Sequence, residues 1–150
     1  MLLHKGPLAT SRPARRSVIF DMGRKPRQKT GLARIWAAFF YSLDGLRVAI
    51  SSETAFRQEL CVVVIGLVVL PFLPLSLAWK GLLFFASTSV LIVELLNSSI
   101  ESIVDLASPE FHVFAKKAKD FSSAAVLLVI TVALILWGCA IFIVFTNKSL

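Results

Sequence analysis

Residues 81–104 read GLLFFASTSVLIVELLNSSIESIV, a run long enough to cross a bilayer that still carries two acids and an asparagine. About 20 largely apolar residues span the hydrocarbon core. Glu94, Asn97, Glu101 and, just beyond, Asp105 are spaced by three, four and four residues, which places them on one face of a helix. Ionisable residues at such depth are costly, so in a spanning segment they mark function before they mark structure. By helix rise, Glu94 lies about ten residues, about 15 Å, from the nearer end of this stretch.

Two further apolar stretches flank it. Residues 122–145 contain no charge, and residues 54–70 form a shorter run with Arg57 and Glu59 at its start. The predicted spans are therefore 54–70, 81–104 and 122–145. The whole chain of 150 residues is 57% hydrophobic with mean hydropathy +0.80, too apolar for a soluble domain of this size. Pro71 and Pro74 stop the first span and make the turn to the second. Cys61 and Cys139 fall inside apolar runs and read as small apolar side chains.

The net charge of +7 raises nucleic acid as a partner, but its location argues against one. Nine of the sixteen Lys and Arg lie at or before Arg34, and Lys116, Lys117 and Lys119 sit between the second and third spans. On the other side stand only Lys80 and Lys148. The positive-inside rule places the N-terminus and the 105–121 loop in the cytoplasm and the C-terminus outside. Residues 1–30 are basic and rich in Pro and Ser, and are expected to form a disordered tail. They contain no run that reads as a cleavable signal, and Met22 offers a second possible start. The remainder, 31–150, reads as one membrane domain.

Between tail and first span, Leu32, Ile35, Trp36, Phe39, Leu43, Leu46 and Ile50 form a narrow apolar stripe at helical spacing, with Arg34 and Asp44 off it. This predicts an amphipathic helix over about 31–50 lying on the membrane face, its Trp and Phe-Phe-Tyr cluster at headgroup level. Ser51 and Ser52 are expected to end it and cap the next helix. Ser108 followed by Pro109 reads as a new helix start, leading through a short helix or turn to Lys119 and the last span. The fold class is an all-α membrane protein with a surface helix and three spans.

The acidic stripe suits a divalent cation. Mg²⁺ takes hard oxygen ligands, often one or two carboxylates plus substrate phosphates. Glu53 and Glu59, at the start of the first span, could complete such a site from a neighbouring helix, and the Lys116–Lys119 cluster could neutralise a polyphosphate. No Gly-rich loop ending in Gly-Lys-Ser/Thr and no His-Arg-Asp loop is present. The residues alone reach a membrane enzyme or carrier that uses acids and a divalent ion.

Four motifs carry the reading further. Glu53-Thr-Ala-Phe-Arg-Gln-Glu59, Val93-Glu-Leu-Leu-Asn-Ser-Ser-Ile-Glu101 with Val104-Asp105, Glu110-Phe-His112, and Ala118-Lys-Asp-Phe-Ser-Ser-Ala124 resemble, in order, the signatures of the prokaryotic diacylglycerol kinases. The resemblance covers about Gly31 to Phe145. It implies a homotrimer in the bacterial inner membrane, with active sites shared between subunits, that moves a phosphoryl group from ATP to diacylglycerol. It implies Glu94 as general base with Asn97 orienting it, and Glu53 and Glu101 as ligands of the Mg²⁺ that accompanies ATP. Lys119 and Asp120 would contact the nucleotide, with Arg34, Tyr41, Glu110, Phe111 and His112 around it. Arg34, Arg47, Ala55, Phe56, Arg57, Gln58, Glu59 and Ser123 would lie along the lipid path. Leu43 and Asp44 stand where the family often has an aromatic and a basic residue. An undecaprenol kinase of the same fold is the nearest alternative. From other classes come a small proton-coupled carrier using Glu94 and a non-catalytic membrane adaptor.

Overall fold

The computed structural model describes residues 31–147, so the expectation for residues 1–30 falls outside it. Within that range the chain is helical, in the order α1 (Leu32–Ser52), α2 (Thr54–Val69), a single 3-10 turn (Leu70–Phe72), α3 (Leu77–Ala107) and α4 (Val113–Asn147). Two compact units divide after Ala38. Among the described residues there is no strand, and the helices carry three segments long and apolar enough to cross a membrane: Thr54–Phe72, Leu77–Ala107 and Val113–Thr146.

α1 leaves its apolar stripe open. Leu32, Ile35, Trp36, Phe39, Leu43, Leu46 and Ile50 are all exposed, as an interfacial helix requires. It does not stop at the serines. Ser51 and Ser52 both donate their hydroxyls back to the Val48 carbonyl and stay helical, so neither caps α2. Glu53 takes the N-cap position with extended backbone. Arg57 then reaches back to the Ile50 and Ser51 carbonyls and to the Thr54 hydroxyl. Its guanidinium thereby satisfies carbonyls that the end of α1 leaves without helical partners.

Pro71 sits in the 3-10 turn that ends α2. Lys80 closes the connection by donating to the Pro71 carbonyl at 2.8 Å. α3 begins four residues before the predicted Gly81 because Ser76 caps it, accepting from the Trp79 N–H. It also runs on to Ala107, past the predicted Val104, which puts Glu94 thirteen residues, about 20 Å, from that end.

Ser108 and Pro109 do not start a helix. Ser108 is the C-cap of α3, its N–H bonded to the Val104 carbonyl and its hydroxyl to the Glu110 carbonyl. Nor is there a separate short helix before the last span: α4 is continuous from Val113, because no proline or glycine interrupts residues 113–137. The Phe114 N–H bonds His112 Nδ1, which caps the start of α4.

α3 packs chiefly on α4 and, less extensively, on α2. Lipid tails are as apolar as leucine, so small residues that admit close approach hold such helices together. Ala86, Val90 and Ala133 form one buried cluster, and Leu70, Leu83 and Ala140 another. Leu136 packs against both, and against the second of them packs Trp137. Its Nε1–H donates to Ser87 Oγ at 3.0 Å, and its ring lies so close to Gly66 that an added Cβ would meet Cζ2 at 3.1 Å.

Candidate active site

One half of α3 departs from this packing. Glu94 is 4% exposed and Asn97 9%, and polar groups so enclosed in a spanning helix are costly. Their neighbours compound the cost. The charges of Glu101 and Glu53 act on Glu94, and the charge of Glu94 acts on Glu59. Four carboxylates from the start of α2 and the middle of α3 thus share one electrostatic neighbourhood. Within it the polar atoms are thinly satisfied. Asn97 Nδ2 donates to Glu101 Oε1 at 3.4 Å, while Asn97 Oδ1 and Glu59 Oε2 are buried without a partner. Buried polar atoms are nearly always paired, so two orphans beside a cluster of acids point to a site completed by a ligand.

The positive side comes from α4. Lys116, Lys117 and Lys119 stand in its first two turns, at the end where the helix dipole disfavours cations. Lys119 reaches across to α3 and meets Asp105 at 2.6 Å, and the charge of Glu101 also acts on it. Lys116 pairs with Asp120 one turn on, at 2.5 Å. Lys117 lies over the Phe121 ring, 5.3 Å from its centroid.

The structure gathers Glu53, Glu59, Glu94, Asn97 and Glu101 into one neighbourhood, with Lys119 joined to it through Glu101. Other candidates do different work or stand apart. Phe56 is buried, as packing demands, and Arg57 is spent on the α1 carbonyls. His112 caps α4, and Glu110 and Phe111 are exposed in the α3–α4 connection. Tyr41 and Arg47 are exposed on α1, Arg47 paired with Asp44 at 3.4 Å, and Arg34 lies on the first turn of that helix. Ala55, Gln58, Asp120 and Ser123 are exposed as well. Asn97, expected to orient Glu94, donates to Glu101 through Nδ2.

A cleft of about 490 Å³ opens beside Glu59, between α2, α3 and α4. Gln58, Glu59 and Ser87 are among its lining residues, and Val62, Ile130 and Leu134 belong to its apolar majority. Residue spacing does not disclose this cleft, because its lining comes from three different helices.

A divalent cation can be weighed against these donors. Among the described residues no three His, Cys, Asp or Glu side chains converge to hold a metal by themselves. Mg²⁺ does not require that, because it is commonly held by one or two carboxylates with substrate phosphates supplying the rest. The paired carboxylates around Glu94 and the orphaned Glu59 and Asn97 oxygens fit that mode.

Comparison with known proteins agrees with this architecture. The family model described as prokaryotic diacylglycerol kinase matches residues 40–142. The diacylglycerol kinase of Escherichia coli (strain K12) is 44% identical over 108 residues, covering 72% of this chain and 88% of its own. That of Helicobacter pylori (strain ATCC 700392 / 26695) is 41% identical over 113 residues, 75% of this chain and 88% of its own. That of Pseudomonas aeruginosa (strain PAO1) is 42% identical over 110 residues, 73% of this chain and 89% of its own. A match over so much of both partners makes this chain a member of the prokaryotic diacylglycerol kinase family.

Proposed function

We propose that this multi-pass membrane protein phosphorylates diacylglycerol to phosphatidic acid, with ATP as phosphoryl donor and Glu94 as general base. The observation that carries this reading is the buried Glu94 carboxylate set among Glu53, Glu59 and Glu101, with Lys119 alongside. Glu94 takes the proton of the lipid hydroxyl as its oxygen attacks the γ-phosphorus. The bond from that phosphorus to the β–γ bridging oxygen breaks, and ADP leaves. Phosphoryl transfer through a loose transition state needs positioning and charge neutralisation more than covalent help. Lys119 supplies positive charge to the phosphates. Glu53 and Glu101 would hold Mg²⁺, which when bound neutralises phosphate charge that the carboxylates alone would repel.

Asn97 ties the Glu101 carboxylate in place and keeps Oδ1 free to accept from an incoming donor. The cleft beside Glu59 is the right shape and polarity for an acyl chain whose glycerol end reaches the acids. The charge distribution supports a bacterial cytoplasmic membrane setting with the N-terminus and the α3–α4 connection inside and the C-terminus outside. The family suggests a homotrimer with sites between subunits, to which Arg34, Tyr41 and Arg47 of α1 would contribute.

The test is transfer of labelled γ-phosphate from ATP to lipid in mixed micelles, with diacylglycerol and undecaprenol offered separately. Mg²⁺-dependent labelling of diacylglycerol, absent in Glu94→Gln, is the expected result. Preferential labelling of undecaprenol would keep the chemistry and reassign the substrate. A well-folded protein that labels neither lipid would overturn the reading.

A further inference from the structure

Asp105 stands where helix physics does not want it. It occupies the last turn of α3, the negative end of the macrodipole, and its side chain is 67% exposed. An acid there weakens the helix it belongs to, and alanine would be the better helix former at the position. What it does instead is hold Lys119 of α4 at 2.6 Å, in the structure's single ion pair between helices among the described residues. The contact fixes a flexible four-carbon side chain next to Glu101.

We infer that Asp105 is a positioning residue for the nucleotide: it holds Lys119 so that the ammonium already faces the phosphate site before ATP arrives. This rests on the reading above that Lys119 contacts the nucleotide. An ammonium has three donors and no acceptor, so one hydrogen given to Asp105 leaves two for phosphate oxygens. Asp105 and phosphate therefore share Lys119 without competing for the same hydrogen. Ordering the lysine in advance removes part of the rotamer cost that binding would otherwise meet. The alternative role, a strap that only joins α3 to α4, makes a different forecast. It would lower stability and affect lipid and nucleotide alike.

The full chain in detergent micelles decides between them, with a fluorescent ATP analogue as the binding probe. The variants are Asp105→Ala, Asp105→Glu, Lys119→Met and the Asp105→Ala/Lys119→Met double variant. Asp105→Ala is expected to weaken the analogue about fivefold, as loss of one partly exposed ion pair implies. KM for ATP should rise in step, KM for lipid should hold, and the thermal midpoint should not fall. Asp105→Glu should recover most of the affinity. Once Lys119 is Met, removing Asp105 should change binding by less than about 1.5-fold, because the pair acts as a unit. An equal loss in both backgrounds, or a matching rise in KM for lipid, would overturn the inference. So would unchanged binding in Asp105→Ala while Lys119→Met weakens it, which would leave the Lys119 reading standing. Unchanged binding in Lys119→Met would overturn both together.

Discussion

Both halves of α3 bury side chains, and they do so on opposite terms. From Leu83 to Val90 the buried residues are Leu83, Ala86, Ser87 and Val90, and each has a partner: alanines against alanines, and a serine hydroxyl under a tryptophan N–H. From Glu94 to Glu101 the buried groups are the Glu94 carboxyl and the Asn97 amide, with one long hydrogen bond from Asn97 to Glu101 and an Asn97 Oδ1 that bonds nothing. The first half is complete in the single chain. The second is not, and its deficit is in positive charge and hydrogen-bond donors. A helix whose one half is finished and whose other half lacks cations describes a scaffold carrying a binding site.

The sharpest way to break this contrast is Glu94→Gln. If the second half exists for catalysis, phosphoryl transfer should fall by about 10³-fold, within the range that general bases contribute. The folded protein should be no less stable, since removing a charge from among like charges relieves repulsion. A variant that unfolds instead would make Glu94 a structural residue. Next in size, Glu101→Gln should raise the Mg²⁺ concentration for half-maximal activity at least tenfold, as loss of a metal-site group commonly does. Ser99→Ala, two residues earlier, is the control. Its hydroxyl donates only to the Leu95 carbonyl within the helix, so its Mg²⁺ titration should match that of the unmodified chain. Identical curves for both variants would remove Glu101 from the metal site.

The same contrast explains what the sequence could disclose. A buried acid in an apolar run is visible without a structure, because lipid makes every such residue expensive, so the Glu94, Asn97, Glu101 face was legible. The three spans were legible for the same reason. Helix ends were less so. Ser51 and Ser52 look like caps, yet their hydroxyls bond the Val48 carbonyl in the helix interior as readily, and propensity cannot tell these apart. Ser108-Pro109 has the pattern of a helix start, but it follows a helix that needed a C-cap. Contacts between distant positions are invisible in a sequence. Trp137 and Ser87 are fifty positions apart, and by spacing Asp105 is one more acid in the stripe, although its partner is on the next helix.

Where α2 and α4 meet beside the finished half, Gly66→Leu should be the most damaging change. A Cβ there already presses on Trp137, whose ring is held by its bond to Ser87 and cannot swing away freely. A branched side chain should cost about 2 kcal/mol by overpacking, which outweighs the gain in helix propensity over glycine. Ser87→Ala removes only the acceptor of the Trp137 N–H and should cost about 1 kcal/mol, near the upper part of the range for hydrogen bonds between membrane helices. Thermal unfolding in micelles reads both. Turnover per folded molecule at saturating lipid should hold in Ser87→Ala, since this half lines the acyl cleft but holds none of the proposed reacting groups; a turnover defect there as deep as that of Glu94→Gln would erase the distinction between the halves.

The smallest effect is expected at the far end of α3. Lys80 donates to the Pro71 carbonyl and so ties the first turn of α3 to the 3-10 turn that ends α2. Lys80→Met keeps the length and apolar character of the side chain while deleting the donor. The loss should be about 0.5 kcal/mol, because an exposed carbonyl regains a water partner when the lysine goes. Phosphoryl transfer should be untouched, since α3 places Lys80 fourteen residues, about 21 Å, from Glu94. Hydrogen exchange at the N–H groups of residues 73–80 offers a direct reading. Faster exchange confined to those residues would show a local clasp. Faster exchange spreading to Asn97 and Glu101 would mean that the packed half transmits strain to the reactive half, and that the two are one unit after all.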